Sequence, residues 1–115
     1  MNMQAFELSE IEQNRQNLEK PYLEFLRENS LSMGLYVLHA GEGDPQLPHT
    51  EDEVYLVVQG AGQFEAAGKN RPVSVGSIMY VPAKMEHRFH SITEDLSVLV
   101  FFSPPGYANV QSQYK

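Results

Sequence analysis

The chain has 115 residues, a formal net charge of −7 and no cysteine. That length suits a single domain, whose core buries roughly two-thirds of the unfolded surface without covalent staples. The missing cysteines exclude disulfides, thiolate zinc sites, iron–sulfur clusters and cysteine nucleophiles. Eight scattered Lys and Arg residues give no basic face for a nucleic-acid partner, and no apolar run reaches the roughly 20 residues of a membrane helix. A hydrophobic content of 42% against 20% charged residues is that of a globular chain.

Residues 1–21 read as an N-terminal arm. The segment MNMQAFELSEIEQ has neither the basic start nor the apolar stretch of a signal peptide, so a cytoplasmic location is the expectation. Ser9 with Glu12 forms a possible capping box, Ile11 and Leu18 fall on roughly one helix face, and Pro21 bounds the segment. YLEFLR (22–27) fits either a helix face or a strand. In SLSMGLYVLHA (30–40), Leu31, Met33, Leu35 and Val37 alternate as a strand does.

GEGDPQLP is a loop by composition, and EVYLVVQG a strand rich in Val and Tyr. GAGQ and AGKNRP read as turns on either side of FEAA. VSVGSIMYVPA alternates in two short pieces around Gly76. HRFHSI and LSVLVFFSPP complete the series, the latter apolar on both parities and so a central strand covered on both faces. PPGYANVQSQYK reads as a tail. The fold class expected is all-β, an antiparallel barrel or jelly roll over residues 22–106, with the arm before it and a C-terminal tail at 107–115.

Two segments carry chemistry. Side chains alternate along a strand, so His49, Glu51, Glu53 and Tyr55 share a face if the chain is already extended at position 49. In the piece EHRFHS, His87, Phe89 and Ser91 share parity, with Arg88 and His90 opposite. If the two strands are neighbours, His49, Glu53 and His87 converge as two imidazoles and one carboxylate, a set that binds a metal and leaves positions open. The plainer reading is a salt-bridged turn at TEDE and a charged hairpin end at His87. His39 and His90 have no supporting context and read as structural.

The spacing resembles that of the cupins, small antiparallel barrels that often hold a metal. Their first motif, G-x5-H-x-H-x3-E-x6-G, is matched by Gly41, Leu47, His49, Glu53 and Gly60, with leucine in place of the first histidine. Their second, G-x5-P-x-G-x2-H-x3-N, is matched by Gly76, Pro82, Lys84, His87 and Ser91, with Lys84 for the glycine and Ser91 for the asparagine. The resemblance covers about residues 30–103. It implies a cupin barrel in which His49, Glu53 and His87 occupy three of four metal-ligand positions. Leu47 cannot bind a metal, which leaves three outcomes. The centre works with three protein ligands and water; Gln46 or Glu51 substitutes; or the three residues hydrogen-bond one another without a metal.

By parity, Tyr55, Val57 and Phe89 line the interior, and Gln46, Glu51, Tyr55 and Phe89 are the candidates for supporting or substrate contacts. Met33, Met79, Met85, Phe101 and Phe102 read as packing. The expected cofactor is a divalent metal, with Fe, Mn, Ni, Zn and Cu not distinguished. Three functions follow. They are a metal-dependent enzyme on a small organic substrate, of dioxygenase, isomerase or lyase type; a non-catalytic small-molecule-binding cupin; and a metal-free epimerase-like enzyme with a histidine base. Whether the chain is an enzyme, and which residue is catalytic, stays open. A homodimer is expected, because an open barrel has edges to cover.

Overall fold

The computed structural model describes residues 2–46 and 48–106. Leu47 and the tail at 107–115 lie outside the described residues. One helix, α1 (Leu8–Gln16), precedes six strands: β1 (Tyr22–Arg27), β2 (Ser32–Leu38), β3 (Asp52–Ala66), β4 (Lys69–Ser74), β5 (Ile78–Val81) and β6 (His87–Ser103). All pairings are antiparallel. The sheet order is β1-β2-β6-β3-β4, with β5 added to β3. Among the described residues the sheet is not closed by hydrogen bonds, but it is the jelly-roll arrangement expected. Among the described residues no helix is long and apolar enough to cross a membrane.

β3 and β6 are each longer than any strand expected. GAGQ is not a turn but the middle of β3, and HRFHSI and LSVLVFFS are one strand. The ladder between them breaks register three times, between Val57 and Gln63, so two long strands bend together instead of ending. Past the bend, the first half of β3 pairs with β5 and the second half with β4. Gly60 makes the bend. Its φ is +92°, and a Cβ there would lie 2.1 Å from the Asp95 carbonyl oxygen. Only glycine fits both conditions.

AGKNRP contracts to a two-residue hairpin. Ala67 and Gly68 both have positive φ, as the favoured hairpin turn requires. The residues after it form β4, where Pro72 is tolerated because β4 is an edge strand. YLEFLR resolves as strand β1. The arm does form a helix, but its start lies at Glu7, which is still extended (φ −108°, ψ 128°), and no side chain caps it. Ser9 is therefore already inside the first turn and the capping box does not form. Ile11 is buried, whereas Leu18 falls beyond the helix and is exposed.

The core lies on the inner face of the sheet, where Tyr36, Tyr55, Val57, Phe64, Phe89, Leu96, Val98 and Phe102 are buried together. The outer face is apolar too. Register aligns Tyr80, Val54, Phe101, Met33 and Leu26 across five strands, and beside them Ile78, Leu56, Leu99, Leu35 and Leu23. Helix α1 packs against β1 and β2, where Leu35 is fully buried. At the β5 end Ile78 and Tyr80 are more than 60% exposed. β6 is thus central, as its composition implies, with side chains packed on both faces.

Two motif departures fall where backbone geometry matters. Lys84 has φ +68° and Ser91 has φ +49°. These are the positions at which the motif carries glycine and asparagine, the residues that enter this region at least cost. At Ser91 the turn also reverses the alternation. Ser91 is exposed and Ile92 buried, so Ser91 does not share a face with His87 and Phe89 as parity predicts.

Thermal melts test these constraints. Gly60→Ala lowers stability by more than the roughly 1–2 kcal/mol of a left-handed L-residue alone, because backbone must also move. Lys84→Gly raises stability by roughly 0.5–1 kcal/mol, the strain relieved less the entropy added to the unfolded chain. A second test concerns Asp95, whose carboxylate accepts the Ala40 N–H at 2.8 Å and faces His39 Nδ1 at 3.3 Å. The backbone bond first, and His39 second, hold its pKa below the ordinary 3.8. A depressed carboxylate stabilises above its unfolded pKa and loses that contribution as pH falls through its folded one. Wild type is therefore more stable than Asp95→Asn at neutral pH, and the gap closes only below pH 3.8.

Candidate metal centre

His49 sits just before β3, Glu53 at its start and His87 at the first residue of β6. The connection from β5 to β6 brings the two histidines together. The Lys84 N–H donates to the His49 carbonyl at 2.6 Å, and the Ala83 N–H donates to Asp52 Oδ1 at 2.9 Å. This loop, turned by the positive φ of Lys84, is pinned to the entrance of β3, and β6 then starts beside it. Glu53 pairs with Phe102 on one side and Val81 on the other, so its side chain projects from a strand held at both edges.

His49, Glu53 and His87 are all buried, and each offers a ligand atom within 4.8 Å of the others. Glu53 Oε2 receives both imidazoles, His49 Nδ1 at 3.0 Å and His87 Nε2 at 3.2 Å. His49 packs edge-on against Phe102, with ring centroids 5.0 Å apart. His87 Nδ1 lies 2.8 Å from the Met85 carbonyl. A carbonyl only accepts, so Nδ1 carries the hydrogen, and on the neutral ring Nε2 is left as a lone pair facing the centre. A backbone carbonyl behind a histidine is the usual support for a metal-binding imidazole.

The donor set fits a cation on a count of protons. The Tyr55 hydroxyl lies 2.8 Å from Glu53 Oε1, 2.9 Å from His87 Nε2 and 3.0 Å from Gln46 Oε1. Gln46 Nε2 donates to Asp44 Oδ2 at 2.9 Å, so the Gln46 group facing Tyr55 is its carbonyl oxygen. With His87 neutral, its Nε2 is an acceptor as well, and the one phenol proton faces three acceptors; that Nε2 lone pair then also faces the Glu53 carboxylate at 3.2 Å. Buried lone pairs that face one another without a proton are costly, and a bound cation satisfies them together.

The supporting residues divide. Tyr55 is both core and site: its ring packs against Phe64 and Phe89, with centroids 5.6 and 5.2 Å away, while its hydroxyl enters the cluster. Phe89 packs against the rings of Tyr55 and Phe64. Gln46 reaches the cluster through Tyr55. Glu51 is buried, but its carboxylate accepts the Thr50 hydroxyl and is not part of the three-residue group. His39 and His90 are spent elsewhere, on Asp95 and Asn70.

Asp44 was not among the residues the sequence singles out. Its carboxylate accepts from the Tyr36 hydroxyl at 2.7 Å, the Gln46 backbone N–H and side-chain amide, and the Phe89 N–H at 2.9 Å. It fastens the loop before His49 to β2 and β6. An Asp-Pro step inside a glycine-rich loop is the one local signal of such a role, since Asp side chains commonly bond the backbone two residues on. Beside it a cavity of about 450 Å³ opens to solvent and reaches His87; Gln46, Glu65, Glu86 and Arg88 also line it.

Comparison with known proteins agrees with this architecture. The Cupin domain family matches residues 34–102, and the chain belongs to the cupin family. The uncharacterized protein SCO3923 of Streptomyces coelicolor is 50% identical over 103 residues, covering 90% of this chain and 98% of that one. Among solved structures, KdgF from Halomonas sp. superposes with a TM-score of 0.66 at 25% identity, over 72% of this chain and 76% of its own. The DMSP lyase DddQ from Ruegeria pomeroyi gives 0.62 at 22% identity, over 66% of this chain and 39% of its own, a likeness of fold alone.

Proposed function

We propose that this cupin binds one divalent metal ion through His49, Glu53 and His87 and uses it to act on a small organic molecule. The observation that carries the reading is the convergence of two imidazoles on one buried carboxylate. A metal held there supplies Lewis-acid or redox activation at its open positions. The chain's own groups do the rest. The Met85 carbonyl fixes the tautomer of His87, Phe102 fixes the ring of His49, and Asp44 holds Gln46 against Tyr55.

The substrate enters through the 450 Å³ cavity beside His87. Its walls carry the carboxylates of Asp44, Glu65 and Glu86 against the single guanidinium of Arg88, which is already paired with Glu65 at 3.0 Å. Like charge inside a cleft repels, so these walls favour a neutral hydroxylated molecule over a dicarboxylate. The runner-up is a non-catalytic small-molecule-binding module that uses the same cavity.

The same proposal extends to assembly. The two apolar rows on the outer face are covered by α1 at one end and open at Ile78 and Tyr80. A second copy laid on that open end completes the burial, giving a homodimer.

Metal analysis tests the centre. Purified wild type retains about one ion per chain. His49→Ala and His87→Ala each weaken binding by at least about a hundredfold, the upper end of what losing a mere supporting partner costs. Unchanged metal content in both variants sinks the assignment. Gel filtration tests the assembly: wild type elutes as a dimer, and Ile78→Lys with Tyr80→Lys elutes as a monomer. A monomeric wild type at high concentration rules it out.

A further inference from the structure

The centre as read has three protein donors, and the motif position of the fourth carries Leu47, a side chain with no donor atom. We propose that the fourth ligand is the phenol oxygen of Tyr55. This inference rests on the reading of His49, Glu53 and His87 as ligands and adds a residue to it.

The geometry is that of a coordination shell. Metal–nitrogen and metal–oxygen bonds of about 2.0–2.1 Å put neighbouring donors roughly 3 Å apart. The Tyr55 oxygen lies 2.8 Å from Glu53 Oε1 and 2.9 Å from His87 Nε2. Those spacings match the 3.0 and 3.2 Å separations within the histidine–glutamate cluster. The same spacings are those of hydrogen bonds, so the oxygen is already placed where a ligand atom would stand.

The phenol is also held in place before any ion arrives. Tyr55 follows Glu53 by two residues on β3, so both project from the same face of one rigid strand. Its ring is fully buried and wedged between Phe64 and Phe89. Gln46 Oε1, anchored by Asp44, accepts the phenol proton from the cavity side at 3.0 Å before any ion binds. When the metal–oxygen bond forms, the phenol proton leaves to solvent.

This donor set differs in chemistry from one with a third histidine. It exchanges a neutral nitrogen for an anionic oxygen and raises the ligand charge to −2 with Glu53. Hard oxygen donors favour hard ions, so the centre prefers ferric ion to the softer cuprous ion. A phenolate on ferric iron also absorbs visible light by ligand-to-metal charge transfer, which imidazole and carboxylate ligands do not provide.

The test uses the full chain loaded with ferric ion alone. Wild type is expected to bind one ion, to show a visible charge-transfer band, and to give tyrosine ring modes in resonance Raman spectra excited within that band. Tyr55→Phe is expected to lose the band and to bind ferric ion at least about tenfold more weakly, while the exposed Tyr80→Phe keeps both. Bound ferric ion without a band, or a band that survives in Tyr55→Phe, overturns the fourth ligand and leaves the three-residue centre standing. If wild type retains no ion, or His87→Ala retains as much as wild type, the three-residue reading falls and Tyr55 with it. Should Tyr55→Phe fail to fold, the wild-type Raman spectrum decides alone, since tyrosine modes are either enhanced or absent.

Discussion

The antiparallel pairing of β3 with β6, bent at Gly60 over the Asp95 carbonyl, sets the position of every other element. β2 and, through it, β1 join one edge of β6, while β4 and β5 divide the other edge of β3 between them. The bend lets one pair of strands line two sides of the core, so that the start of β3 and the start of β6 face one another. Glu53 and His87 occupy those starts. The convergence of Glu53 and His87 is therefore a product of the bend: straight strands would carry the two residues apart.

The cluster itself is held by mutual dependence. Each polar atom in it lies inside the core, where an unpaired group costs more than its hydrogen bond contributes. Asp44 collects four donors from three parts of the chain, the Met85 carbonyl orients His87, and the Lys84 N–H fixes the backbone at His49. The apolar rings of Phe64, Phe89 and Phe102 fill the space between these bonds. Packing excludes water, and its exclusion makes the polar contacts strong.

Motif spacing made much of this legible. The intervals around His49, Glu53 and His87 resemble the cupin pattern, and the alternation of EVYLVVQG correctly sends Glu53, Tyr55 and Val57 inward. What the sequence hid was continuity. Glycine-rich GAGQ has the composition of a turn, yet in β3 it supplies the bend that long strands need, and local composition does not distinguish the two. Ser9 and Glu12 misled for a related reason, since capping depends on where the backbone turns and not on which residues stand nearby. At the two motif departures, Lys84 and Ser91, the backbone adopts the positive φ that glycine and asparagine enter at least cost. Asp44 was missed because its partners are distant in the chain, and nothing local announces them.

The placement of the ligands on both sides of the bend bears on how the protein reaches its native state. His49 and His87 come from segments joined only by long-range pairing, and sheets of that kind fold slowly because loop closure precedes any reward. An ion that needs all the ligands at once has little affinity for the unfolded chain. On the proposed reading it would therefore add stability by mass action, in proportion to the logarithm of its free concentration over its dissociation constant. The supply of metal would then shift the balance between folded and unfolded chain.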